Sequence, residues 1–151
     1  MMKKKIKNTD SSLTNPKKIV ETDSDFILVS FQKNVDCNTY GLCLTCKHDK
    51  YSELNQKHYN TELLKLFDYL CKKTWQEVNN LRRDMNYGLE ILKVENIRNL
   101  KQHISTTFNV LNQKTMYIFR FKEYRACGYR KNSTFYLVCV DYDYSLYDHE
   151  K

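Results

Sequence analysis

Two arginines five positions apart, Arg120 and Arg125, a third at Arg130, and a closing stretch that reads Tyr147, Asp148, His149 are the residues of this chain best suited to chemistry. They fall within IFRFKEYRACGYRKNSTFYLVCVDYDYSLYDH, residues 118–149, where arginine and tyrosine interrupt runs that otherwise read as apolar strands. A guanidinium presents a planar fork that matches phosphate, an aromatic ring can hold a splayed base, and an imidazole can accept and donate a proton near neutral pH. Such a ladder suits a surface for RNA, with Lys122, Arg130 and Lys131 as further backbone-binding cations. A plainer assignment stands beside it: Arg125 and Arg130 as strand residues paired with Asp or Glu across a sheet, and His149 as a solvated chain end.

Asp141, Asp143 and Asp148 make the same neighbourhood acidic. Carboxylates beside a phosphate site oppose binding unless they point away. Asp-x-Asp at a strand end also occurs in hard-cation sites, but no further ligand set or glycine loop accompanies it. Cys37, Cys43, Cys46 and His48, spaced C-x5-C-x2-C-x-H, raise a structural zinc. Against that, GLCLTC reads as a strand, which would send Cys43 and Cys46 to opposite faces. Six cysteines would permit three disulfides in an oxidising compartment, but without a signal sequence free thiols are expected. Neither a metal nor a cofactor is expected.

The elements that must position these residues follow from composition and pattern. The 151 residues carry a formal net charge of +7, which favours polyanionic partners, and the 12 tyrosines and seven phenylalanines supply much of the core. No apolar run approaches the roughly 18 residues of a membrane span, and the basic start is not followed by an apolar segment, so the chain is expected in the cytoplasm. Residues 1–23 read as a flexible basic tail and residues 24–151 as one α+β domain. DFILVSFQ and GLCLTC suggest two short strands flanking a loop, with Gly41 at the turn.

Asn60 is a plausible N-cap for a helix over 61–83, in which Leu63, Leu66, Phe67, Leu70, Trp75, Val78 and Leu81 share one face, with Trp75 in the core. Gly88 ends it, and residues 94–104 suggest a second, shorter helix. TMYIFRF, YRACGYR and TFYLVCVDY then read as three strands joined by KE and KNS. The expectation is an antiparallel β-sheet with helices packed on one face.

IFRFKEYRACGYR, followed by an apolar strand and a closing SLY, resembles the RelE/ParE superfamily of small bacterial toxins, most sharply over residues 120–147. The resemblance implies a RelE-like fold, and a metal-independent endoribonuclease that cuts mRNA, on the ribosome in the ribosome-dependent members. It implies Arg120 and Arg125 as phosphate binders and Tyr147 as the residue that orients a base. A cognate antitoxin would be the partner protein. The family has a basic pair before its closing tyrosine where this chain has DYDY, and His149 could supply the missing acid/base group. On the same fold, a non-catalytic inhibitor from a phage or mobile element, binding nucleic acid or protein, is the alternative.

Overall fold

The computed structural model describes residues 23–35, 53–142 and 144–149. The elements in chain order are β1 (Leu28–Ser30), α1 (Glu53–Cys71), α2 (Trp75–Asn79), β2 (Leu89–Lys93), a 3-10 turn (Val94–Asn96), α3 (Gln102–Val110), β3 (Thr115–Phe121), β4 (Tyr124–Lys131) and β5 (Thr134–Asp141). The strands form one sheet in the order β1-β5-β4-β3-β2. β2 to β5 pair antiparallel, while β1 runs parallel to β5. The α+β architecture is as expected, and the parallel edge strand makes the sheet mixed. The proposed GLCLTC strand, the cysteine–histidine cluster and residues 1–22 lie outside the described residues.

The long helix expected over 61–83 is two helices. Tyr59, Leu63, Leu66 and Leu70 bury one stripe of α1, at the i, i+3, i+4 spacing of a single helical face. Asn60 sits inside α1 and does not cap it. The break comes at Thr74, where T-x-x-E forms a capping box. The Thr74 hydroxyl accepts from the Glu77 N–H at 3.3 Å, and the Thr74 N–H donates to the Glu77 carboxylate at 2.7 Å. That bond holds the Glu77 carboxyl below its usual range. Reciprocal satisfaction of two orphan donors starts a new helix, which overrides the continuous apolar periodicity. Arg82 and Arg83 thereby fall outside any helix.

Gly88 leads into β2, which pairs with β3 along its whole length. The second helix is displaced too, with only a 3-10 turn at residues 94–96 and α3 beginning at Gln102.

Both faces of the sheet are covered. Phe119, Phe121, Ala126, Phe135 and Leu137 pack with Leu66, Leu70 and Trp75 of α1 and α2. The alternate residues Met116, Ile118, Cys127, Tyr129 and Cys139 pack with Ile104 and Phe108 of α3. Helices on a single face were expected, but strands that are apolar at both parities must be buried on both sides.

One irregularity decides what faces Arg125. At the turn end of the β4–β5 hairpin, Lys131 pairs with Thr134 and Gly128 with Leu137, but beyond Gly128 the register shifts and Cys127 pairs with Cys139. Val138 is the extra residue of a bulge. Continuing the first register would set Val140 opposite Arg125; the bulge sets Asp141 there instead. Glycine is required at 128, because a Cβ would lie 1.9 Å from the Tyr136 carbonyl oxygen.

Candidate active site

Arg120, Arg125 and Asp141 form one row across β3, β4 and β5, as successive cross-strand partners. They share parity with Ile118, Cys127 and Cys139, so the row faces the α3 side of the sheet, beyond the end of the apolar cluster. The chain after β5 folds back over this row. It reverses at Tyr144, whose φ of 62° lies in the left-handed region. The Ser145 N–H donates to Asp141 Oδ1 at 3.2 Å. The arm is then pinned by Lys101 N–H to the Leu146 carbonyl at 3.0 Å, by Asp148 N–H to the Arg98 carbonyl at 2.9 Å, and by Asn99 Nδ2 to the Asp148 carboxylate at 2.6 Å. Leu146 is fully buried.

The result of that return is a histidine on a buried carboxylate. His149 Nε2 lies 3.0 Å from Asp141 Oδ2, and the Asp141 side chain has no exposed surface. An ionised Asp141 holds the imidazole proton on Nε2 and leaves the Nδ1 lone pair as the free base. The ring is further fixed by Tyr147, with centroids 4.1 Å apart, and by Tyr144, edge-on at 4.8 Å.

Arg125 is 6% exposed; its Nη1 donates to the Tyr124 carbonyl at 2.9 Å and its Nη2 to the Tyr144 hydroxyl at 3.1 Å. Arg120 Nη1 donates to the Asp84 carbonyl at 3.1 Å. Its Nε is buried with no partner among the described residues. A guanidinium has five N–H donors, so both arginines keep capacity for a ligand. Together with Arg83, Arg98, Glu90, Tyr144, Tyr147 and His149 they line a pocket of about 390 Å³, within the size range of small-ligand sites. The neighbouring carboxylates are engaged: Asp84 with Arg82 at 3.3 Å, Glu90 with Arg83 at 3.5 Å, and Asp148 with Asn99.

No protein-family model, no curated protein and no solved structure matches this chain. The chemistry of the pocket therefore has to be argued from its own geometry.

Of the residues singled out in the sequence, Arg120, Arg125, Tyr147 and His149 converge in this pocket. The other three do not join them. Arg130 faces the opposite side, where it donates to the Asp23 carboxylate at 2.9 Å and the Asn132 carbonyl at 2.8 Å and lies 4.3 Å over the Trp75 ring. Its side chain is 6% exposed, so it is a structural cation and not an RNA contact. Lys131 is exposed at the other end of β4, about 20 Å along the strand from Arg125. Lys122 is exposed in the β3–β4 turn with φ 52°, its N–H held by Asn86.

Tyr147 also departs from the role of a base-orienting ring. It is 7% exposed and packed on His149, while burial, above all, pushes its hydroxyl well above the usual tyrosine range. It stays protonated and serves as a positioning residue. The exposed ring in the pocket is Tyr144, at 46%. Because the Tyr147 hydroxyl has no partner among the described residues, Tyr147→Phe is expected to leave the melting temperature unchanged or slightly raised, since it removes only an unsatisfied buried group. Tyr147→Ala, by contrast, strips the face of His149 and is expected to lower any His149-dependent rate. Thermal unfolding beside rate measurements on both variants checks this.

Asp141 was read as a charge opposing a phosphate; the bond to His149 gives it a different task. Asp143 lies outside the described residues. Among the described residues no three His, Cys, Asp or Glu side chains are grouped to hold a metal ion. Cys127 and Cys139 are buried free thiols, and Cys71 is an exposed one. Hydrogen bonding to Cys139, then burial, raises the Cys127 thiol well above its ordinary value, which makes it unreactive.

Proposed function

We propose that this chain is a RelE-like endoribonuclease that cuts mRNA without a metal, the toxin of a toxin–antitoxin pair acting in the bacterial cytoplasm. The observation that carries the reading is the convergence of Arg120, Arg125 and the Asp141–His149 pair in one pocket sized for a small ligand. Transesterification of RNA needs a base for the 2′-hydroxyl, fixed cations for the developing charge on phosphorus, and a ring that holds the base apart from its neighbours. His149 Nδ1 takes the 2′-hydroxyl proton as the 2′-oxygen bonds to phosphorus. Arg120 and Arg125 hold the non-bridging oxygens, and Tyr144 offers the exposed ring. The P–O5′ bond breaks, the leaving oxygen takes a proton from water, and the products end in a 2′,3′-cyclic phosphate and a 5′-hydroxyl.

Further support comes from the resemblance over residues 120–147 and from the net charge of +7. No described helix is long and apolar enough to cross a membrane.

The cellular test is induced expression in a bacterial host, following growth and the 5′ ends of mRNA. The wild type is expected to arrest growth and create new mRNA ends. Arg125→Ala, which loses one charge-stabilising donor group, is expected to cut roughly 10²–10³-fold more slowly. Normal growth with intact mRNA, and salt-sensitive RNA binding without cleavage, would instead mark a non-catalytic binding protein.

A further inference from the structure

Glu90 is a carboxylate in a pocket whose other work calls for cations. It stands on β2 opposite Ile118, on the same face as Leu92 and one row from Arg120 and Arg125. A negative charge there weakens phosphate binding, and an apolar side chain like that of its neighbour Leu92 would fill the position without that cost. Its ion-pair partner Arg83 is 3.5 Å away, on a side chain 70% exposed, while the Glu90 side chain is 29% exposed and lines the pocket. A pair so open to solvent is held weakly. The carboxylate keeps lone pairs that a ligand can fill.

The four RNA bases offer a carboxylate different edges. Guanine presents N1–H and its N2 amino group side by side, two donors at the spacing of two carboxylate oxygens. Adenine and cytosine set an amino group beside a ring nitrogen lone pair, and uracil sets one N–H between two carbonyls, so each of these turns at least one lone pair toward the carboxylate. Single-stranded RNA is read on such exposed Watson–Crick edges, and paired donors on a carboxylate form the strong class of hydrogen bond.

We infer that Glu90 reads the Watson–Crick edge of the nucleotide in this pocket and selects guanine, with the Tyr144 ring stacked on the base. This rests on the ribonuclease reading, but its test is separate. Guanosine 3′-monophosphate and adenosine 3′-monophosphate are titrated by calorimetry into the wild type and Glu90→Gln, with near-ultraviolet circular dichroism to confirm the fold. The wild type is expected to bind guanosine at least about tenfold tighter. Glu90→Gln is expected to abolish the preference, because an amide's one donor and one acceptor match the O6 and N1–H of guanine as well as the amino group and N1 of adenine. Equal binding of the two nucleotides by the wild type, or a guanine preference that survives in the folded variant, overturns the inference. RNA cleavage by the wild type in that case leaves the ribonuclease reading intact; absence of both nucleotide binding and cleavage removes both. Should the variant fail to fold, the wild-type comparison alone still decides.

Discussion

His149→Ala is expected to slow RNA cleavage by about 10²–10⁴-fold and also to lower the melting temperature, because it leaves the buried Asp141 carboxylate without its imidazole partner. The size of the effect follows from the role: His149 is the pocket group with a free lone pair at a fixed place, held by Asp141 on one nitrogen and packed against the rings of Tyr147 and Tyr144. The stability cost is that of a buried carboxylate left without its partner, Asp141 having no exposed side-chain surface. Asp141→Asn should slow cleavage as well, for a different reason. A carboxamide can present its N–H to the imidazole, which moves the proton to Nδ1 and removes the base. Asp141 is 1% exposed and also receives the Ser145 N–H, so this variant is expected to melt lower too. Single-turnover cleavage rates beside thermal melts separate the two effects.

Trp75→Ala is expected to destabilise the fold by about 3–5 kcal/mol, the usual cost of emptying a large buried aromatic site. That is a large share of the roughly 5–15 kcal/mol by which domains are stable. Trp75 is fully buried, packs against Tyr117 and Phe119, and donates its Nε1 to the Ser133 carbonyl at 3.0 Å. The change leaves that carbonyl without its indole partner and takes the ring from beneath Arg130. Urea unfolding is expected to show a lower midpoint with an unchanged slope. Because Trp75 lies on the face opposite the pocket, the fraction that remains folded should cut RNA at the wild-type rate, which distinguishes a structural residue from a site residue.

The strands that carry the pocket were legible in the sequence, and for a physical reason: TMYIFRF, YRACGYR and TFYLVCVD are β-rich runs separated by short turns in which Lys122 and Asn132 take positive φ. The core role of Trp75 was legible from helical spacing. The break at Thr74 was signalled by T-x-x-E but masked by apolar periodicity that continues through it. β2 was missed because LEILK is short and follows a glycine that reads equally well as a helix stop.

In the site, the arginines and His149 stood out by residue type. The pairing of Asp141 with His149 did not, because it depends on two features with no local sequence mark: the bulge at Val138, which shifts the register, and the return of the chain after Tyr144. A carboxylate closing an apolar strand was the one available hint, since a buried charge needs a partner. For Arg130 the ion-paired reading holds over the RNA-binding one, but nothing in the sequence identifies Asp23 as its partner, a contact that spans 107 positions.

The most direct test of the central claim is cleavage of a synthetic single-stranded RNA by purified protein in excess chelator, with the product ends identified by mass spectrometry. The account predicts 2′,3′-cyclic phosphate and 5′-hydroxyl ends from the wild type, none where the attacking position is 2′-deoxy, and a rate reduced at least about 100-fold in His149→Ala. Intact RNA after incubation with folded wild type, or equal cleavage by His149→Ala, would contradict it.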